Sequence, residues 1–500
     1  MQAFCDFLAP YALTAFMHTC ADYGALLVSF IVYLAIILVI GLFAHHQRSP
    51  TKAGAQASDF ILGGRSTHWF LTALSAHAAD MSDWLFMGFP AAVYLAGGFS
   101  LWIPIGLLIG MFLTWHFVAA RLRIESERHH GVTLASFLSN RFNDRSGMLS
   151  LVAAVISLFF FVIYLSVGLK GMGFVLKSAF HLNYHVGIAL SMAVVIIYTF
   201  VGGFTSVALI DLFQGIFLLA MVMVVPAYAY FTVGGLTPIM AAAAQRHVSL
   251  SLIADFDWRS LASIVLDPLA WGLGYFGMPH ILTKFMGTKN ANELYKGKYV
   301  GLIWQLLAMA SAAAVGIVGL AYFVQGVPDK PEFIFIAMAQ GLFNPWIAGW
   351  VLCAILAATI STVDTQMLVV AGIVTHDLYR KIFRPHAAER ELKRIYRAGL
   401  ILAAIGGFII AWDEQSTIMA LVRYAWAGLG ASFGPLVLLA LYTKNINAYG
   451  AIAGMLAGCL TAVSWDLIAP FVTTVSVYAM VPAYAANILS AILVSRLTSK

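Results

Sequence analysis

The sequence predicts an all-α polytopic membrane protein of about thirteen transmembrane helices. Three observations predict it. The 500 residues are 61% hydrophobic and 10% charged, against about 25% charge in a soluble domain, and the mean hydropathy is +0.88. Apolar runs of about 20 residues, the length that crosses a bilayer, recur along the whole chain. Two of those runs carry glycine, proline or acid where a regular helix tolerates them poorly.

Taken in order, the runs fall at about 23–44, 70–97, 99–121, 147–169, 186–203, 205–231, 261–286, 299–324, 346–374, 397–412, 416–441, 448–467 and 471–494. The net charge of +6 matters through its division between loops. Lys and Arg crowd the loops after the odd-numbered runs, while the opposite side holds Lys170, Lys177, Arg246, Arg259 and Lys330. The positive-inside rule then predicts a plasma (inner) membrane protein with its N-terminus outside and C-terminus cytoplasmic. The two basic loops, RLRIESERHHGVTLASFLSNRFNDR and THDLYRKIFRPHAAERELKRIYR, meet anionic headgroups of the bilayer; the charge is no footprint for nucleic acid. The N-terminal stretch has no Lys or Arg and so lacks the charged region of a cleaved signal peptide. Cys5, Cys20, Cys353 and Cys459 show no CxxC spacing, which argues against a metal or redox centre. Cys5 and Cys20 could pair at an external end, but unpaired thiols are favoured. No P-loop is present, which leaves a primary ATP-driven pump unsupported.

The first irregular run, FLTALSAHAADMSDWLFMGFPAAVYLAGG at 70–98, carries Asp80 and Asp83 near its middle. A carboxylate at the centre of a membrane helix costs about 2.5–3.5 kcal/mol, so this run is expected to be an interrupted helix at a binding site. The second, DPLAWGLGYFGMPHILTKFM, holds Pro268, Gly272, Gly274, Gly277 and Pro279. The two lie five runs apart, so units 2–6 and 7–11 run in opposite directions, each opening with an interrupted helix. Secondary transporters are built this way.

The acids expected within the membrane are Asp80, Asp83, Asp211 and Asp364, and the one basic residue well inside a run is Arg423. In the ninth run Ser361, Asp364 and Thr365 share a helix face, with Thr362 beside it. Hydroxyls and a carboxylate make an oxygen-rich patch that suits a small hard cation, and an unwound helix adds backbone carbonyls.

The motifs FILGGRS (60–66), TALSAHAADMSDWLFMGFPAAV (72–93), YTFVGGF (198–204), WGLGYFGMPHIL (271–282), FNPWIAG (343–349), AILAATIST (354–362) and YAWAGLGASFGP (424–435) resemble the sodium/proline symporter branch of the solute:sodium symporter family. The resemblance implies a LeuT-like fold of inverted five-helix repeats with broken first helices. Residues 1–69 would form an external segment, a first peripheral helix and a cytoplasmic loop. Core repeat 1 would cover 70–231, an external loop 232–260, core repeat 2 261–441, and two peripheral helices 442–500. It implies sodium-driven uptake, with Na+ as coupling ion and no other cofactor. The main sodium site would use the carbonyls of Ala78, Met81 and Ala358 and the hydroxyls of Ser361 and Thr362. Asp80 matches an acid tied to sodium dependence. Asp211 matches an acid that joins a second cation site, here with Ser361, Asp364 and Thr365. Substrate would lie between the broken helices near Ser82, Asp83, Trp84, Tyr164, Trp271, Tyr275 and Pro279, where aromatic faces suit an apolar ring carrying an amine.

Four positions depart from the pattern: His77 replaces a small residue, Asp83 a glycine, Met278 a glutamine and Arg423 a small polar residue. Asp83 and Arg423 are opposite charges, expected to pair as a gate over the substrate; alternatively Arg423 receives a substrate carboxylate or Asp83 a substrate amine. The expected function is secondary active uptake of proline or a related amino acid, rather than an enzyme. The alternatives are sodium- or proton-coupled transport of a monocarboxylate, a sugar or another amino acid and, from a different class, a transporter-like sensor or a channel.

Overall fold

The computed structural model describes residues 20–46, 61–201, 204–253, 256–324 and 330–499. Cys5, the basic residues between 47 and 60, Gly202 and Gly203 of the YTFVGGF motif and the side chain of Cys20 lie outside what it describes. In hydrocarbon each backbone group must find its partner within the protein, and an α-helix does this segment by segment. The apolar runs accordingly fold as helices, and no strand forms among the described residues.

In chain order these are α1 (Cys20–His46), α2 (Trp69–Ala78), α3 (Gly88–Ala96), α4 (Trp102–Leu113), α5 (Ala120–Arg128), α6 (Leu134–Arg141) and α7 (Met148–Phe180). Then come α8 (Tyr184–Val201), α9 (Phe204–Thr232), α10 (Leu236–Gln245), α11 (Trp258–Leu266), α12 (Pro279–Met286), α13 (Leu294–Tyr322) and α14 (Ile334–Leu342). The chain ends with α15 (Pro345–Gly372), α16 (Glu389–Ala411), α17 (Ile418–Tyr442), α18 (Ala448–Val472) and α19 (Met480–Thr498). By length and composition, eleven described stretches can cross a membrane. Asp83–Arg128 runs together as one stretch, absorbing half of the first broken run, and α8 supplies only the shorter apolar helix Tyr184–Ile197. The run expected at 147–169 continues to Phe180. Lys170 and Lys177, expected in an external loop, therefore stand on α7.

α15 lies at the centre: 83% of its best spanning window is buried, against 28% for α18 at the periphery. It packs against α1, α7 and α9. Lipid tails are as apolar as leucine, so helices associate by close fit rather than by hydrophobic burial. Small residues supply the fit where α4 crosses the 3-10 segment Leu269–Phe276. A Cβ on Gly110 would stand 2.1 Å from the carbonyl oxygen of Gly272.

Candidate functional site

Both irregular runs are broken helices. The first stops at Ala78, resumes as a 3-10 turn at Asp83–Leu85 and continues as α3. Two backbone donors change partner across the gap. Ser82 N–H goes to Asp80 O and Leu85 N–H to Ser82 O, whereas a continuous helix would send them to Ala78 O and Met81 O. Those two carbonyls are thereby released, and they are two of the three the resemblance assigned to sodium. In the second run, Gly277 N–H turns back to Gly274 O, Met278 adopts an extended ψ of 106°, and α12 starts at Pro279. Proline fits a first helical position because no donor is needed there.

α15 faces the first break. The Ser361 hydroxyl lies 2.9 Å from both Ala78 O and Ala358 O. The Thr362 hydroxyl is buried without a hydrogen-bond partner. Ala78, Ala358 and Ser361 thus come together at one point, with Thr362 next in the chain. Asp80 reaches the other break: Tyr275 donates its hydroxyl to Asp80 Oδ2 at 2.5 Å, and Gln305 Nε2 donates to Tyr275 at 3.0 Å. Tyr275 therefore locks the two broken helices together through Asp80. Trp84 Nε1 donates to Asp80 O at 3.2 Å.

Asp211 takes partners the sequence did not suggest. Its Oδ2 accepts from Ser75 at 2.6 Å and from the Lys284 ammonium at 2.9 Å, and both charged side chains are buried. Lys284, near the end of the seventh run, is a correction: it lies buried on α12, so Arg423 is not the one basic residue within the protein. The hydroxyl of Thr365 has no partner and Asp364 is buried. The sequence signal for Lys284 was its position one helical turn after His280, on a half-helix that must pack inward.

The expected pairing of Asp83 with Arg423 is also corrected. Arg423 pairs with Asp267 at 2.7 Å, and Ser476 donates to the same carboxylate. Arg423 sits near the start of α17, and Asp267 closes α11. Both lie at the mouth of the second broken helix, away from Asp83 at the heart of the first. Trp271 likewise stacks on Tyr478, with ring centroids 5.3 Å apart. Tyr164 packs edge-on to His280 at 6.0 Å, and its hydroxyl is unpartnered. Ser82 Oγ and both Asp83 oxygens are also buried without partners. The arrangement offers released carbonyls and hydroxyls to a cation, and unpartnered polar groups to a polar solute beside them. Among the described residues no group of three or more His, Cys, Asp or Glu could hold a metal ion.

The model of the sodium:solute symporter family matches residues 60–458. The high-affinity proline transporter PutP of Bacillus subtilis (strain 168) is 39% identical over 465 residues, covering 92% of this chain and 96% of the relative. The osmoregulated proline transporter OpuE of the same organism is 38% identical over 479 residues, covering 95% of each. A sodium/proline symporter of Staphylococcus aureus (strain JH9) is 37% identical, covering 94% and 92%. Among solved structures, the substrate-bound outward-open state of a Na+-coupled sialic acid symporter has a TM-score of 0.79 at 18% identity, covering 95% of this chain and 98% of that one. MhsT in complex with L-phenylalanine has a TM-score of 0.54 at 14% identity, covering 86% and 98%.

Proposed function

Because the chain belongs to the sodium:solute symporter family, with a LeuT-like fold, we propose that it is a secondary active transporter using inward sodium movement to take up proline or a related amino acid. The observation that carries the reading is the first helix break. Its re-routed N–H groups release Met81 O and Ala78 O, and Ala78 O meets the Ser361 hydroxyl on α15, next to the unpartnered Thr362. Sodium bound there joins the broken helix to α15. Its binding favours the conformer in which these groups meet and so biases alternating access through differential affinity. Moving one charge inward gains about 2.3 kcal/mol per 100 mV.

Asp80 contributes by holding Tyr275 across the two breaks. Asp211, with Asp364 and Thr365 on the neighbouring helix, forms the coupling region, and Lys284 supplies a positive charge within it. Solute lies at Ser82, Asp83, Trp84, Tyr164 and Pro279. The chain resides in the plasma membrane with its N-terminus outside and C-terminus cytoplasmic, as its loop charges favour.

The test is uptake of radiolabelled proline by proteoliposomes under an imposed sodium gradient. Accumulation that requires sodium, together with counterflow of labelled solute, supports the reading. Uptake that is indifferent to sodium overturns the sodium coupling, and flux without counterflow overturns the carrier and favours a channel.

A further inference from the structure

We propose that Asp83 receives a protonated amine of the cargo, so that the transported solute is an amino acid bearing a second, cationic amine. The inference rests on the symport reading above and narrows its substrate. Asp83 is wholly buried, and neither carboxylate oxygen has a hydrogen-bond partner. It forms no ion pair among the described residues. Its neighbours at the breaks are served differently: Asp80 takes Tyr275, and Asp211 takes Ser75 and Lys284.

The backbone holds Asp83 firmly, since its own carbonyl accepts from Phe86 and Met87. Its carboxylate lies against α7 at Gly171, where even a Cβ would fall 1.7 Å from Oδ2. The helix has therefore made room for this carboxylate without giving it a cationic partner. The nearest cation along that helix, Lys170, is committed elsewhere, to Asp413 O and to Ser416 Oγ at 3.0 Å. Glu332 adds further negative charge to the surroundings. Next to Asp83, the hydroxyls of Ser82 and Tyr164 are buried and unpartnered too.

Buried charges in proteins are paired. Here the partner is left for the cargo to bring. A zwitterion brings one charge of each sign and leaves the carboxylate's charge standing; a second ammonium closes the balance and offers three N–H donors to this oxygen-rich spot.

The experiment compares direct binding of L-ornithine and L-norleucine to the purified full-length transporter. The two differ by exchange of a terminal ammonium for a methyl group. Ornithine should bind at least about tenfold more tightly. The preference should persist in Asp83→Glu and fall to within about threefold in Asp83→Asn. Equal binding of the two by the native protein overturns the proposal, as does an unchanged preference in Asp83→Asn. A proton carrier or a purely structural Asp83 would give those results. Should Asp83→Asn fail to fold, the native ratio alone decides. Each titration is run in sodium and in potassium. Loss of the sodium effect with the ornithine preference intact would sink the symport reading and leave this one standing.

Discussion

Single side chains in this protein act by pairing or by standing unpaired. Ser361 bridges Ala78 O and Ala358 O, so Ser361→Ala should raise the sodium concentration for half-maximal uptake by about tenfold, near 1.4 kcal/mol; sodium titration of amino-acid uptake measures it. Lys284→Met leaves Asp211 buried and uncompensated. It should cost about 3–5 kcal/mol in chemical denaturation, and adding Asp211→Leu should recover much of the loss. A double variant no more stable than the single one would mean the pair is not the origin of the effect. The sequence made Asp80, Asp83, Asp211, Ser361 and Thr362 legible because acids and adjacent hydroxyls are conspicuous within apolar runs. It hid Lys284 because a lysine near the end of a run reads as loop charge. It hid Asp267 because an acid just before Pro268 reads as a helix end, and that pairing depends on where α17 begins in space.

At the level of elements, both helix breaks were legible from composition, since glycine, proline and acid interrupt apolar runs that are otherwise continuous. The donors re-routed inside each break were not, because a shift of hydrogen-bond register leaves no compositional mark. Gly110 tests the fit of the second break: Gly110→Ala pushes a methyl into Gly272 O. Overpacking of this kind costs about 1–3 kcal/mol, read as a lower melting midpoint in detergent. α7 offers a pH test in the loop before it. Burial raises the Asp144 carboxyl, but hydrogen bonds from Ser146 and from the Leu149 N–H, with Lys381 nearby, hold it below the usual range. The carboxylate form therefore stabilises the fold above its unfolded pKa of about 3.9, and that support is lost as pH falls through the lower folded value. Asp144→Ala should cost about 1 kcal/mol at pH 7, as loss of a helix cap does. The gap from the native protein should close under strongly acidic conditions. A gap that persists there would assign the loss to packing.

At the scale of the whole molecule, loop charge predicts an orientation that labelling can check. In a cysteine-free background, Thr474→Cys should react with an impermeant maleimide in intact cells, and Lys444→Cys only after permeabilisation. The reverse pattern inverts the topology. Both positions are exposed, one on each loop flanking α18. The thirteen expected runs map onto eleven long apolar stretches and a shorter helix, because Asp83–Arg128 takes in parts of two runs and Tyr184–Ile197 is short. The ion pair between Lys284 and Asp211 reaches further than its two residues. It ties the half-helix Pro279–Met286 to α9 with two charges sealed from water, and separating them would cost several kcal/mol per ion. The half-helix and α9 are therefore expected to keep this link while the rest of the broken helix moves. The pivot for the rest of the broken helix then falls at Gly277 and Met278, the joint where its backbone already bends.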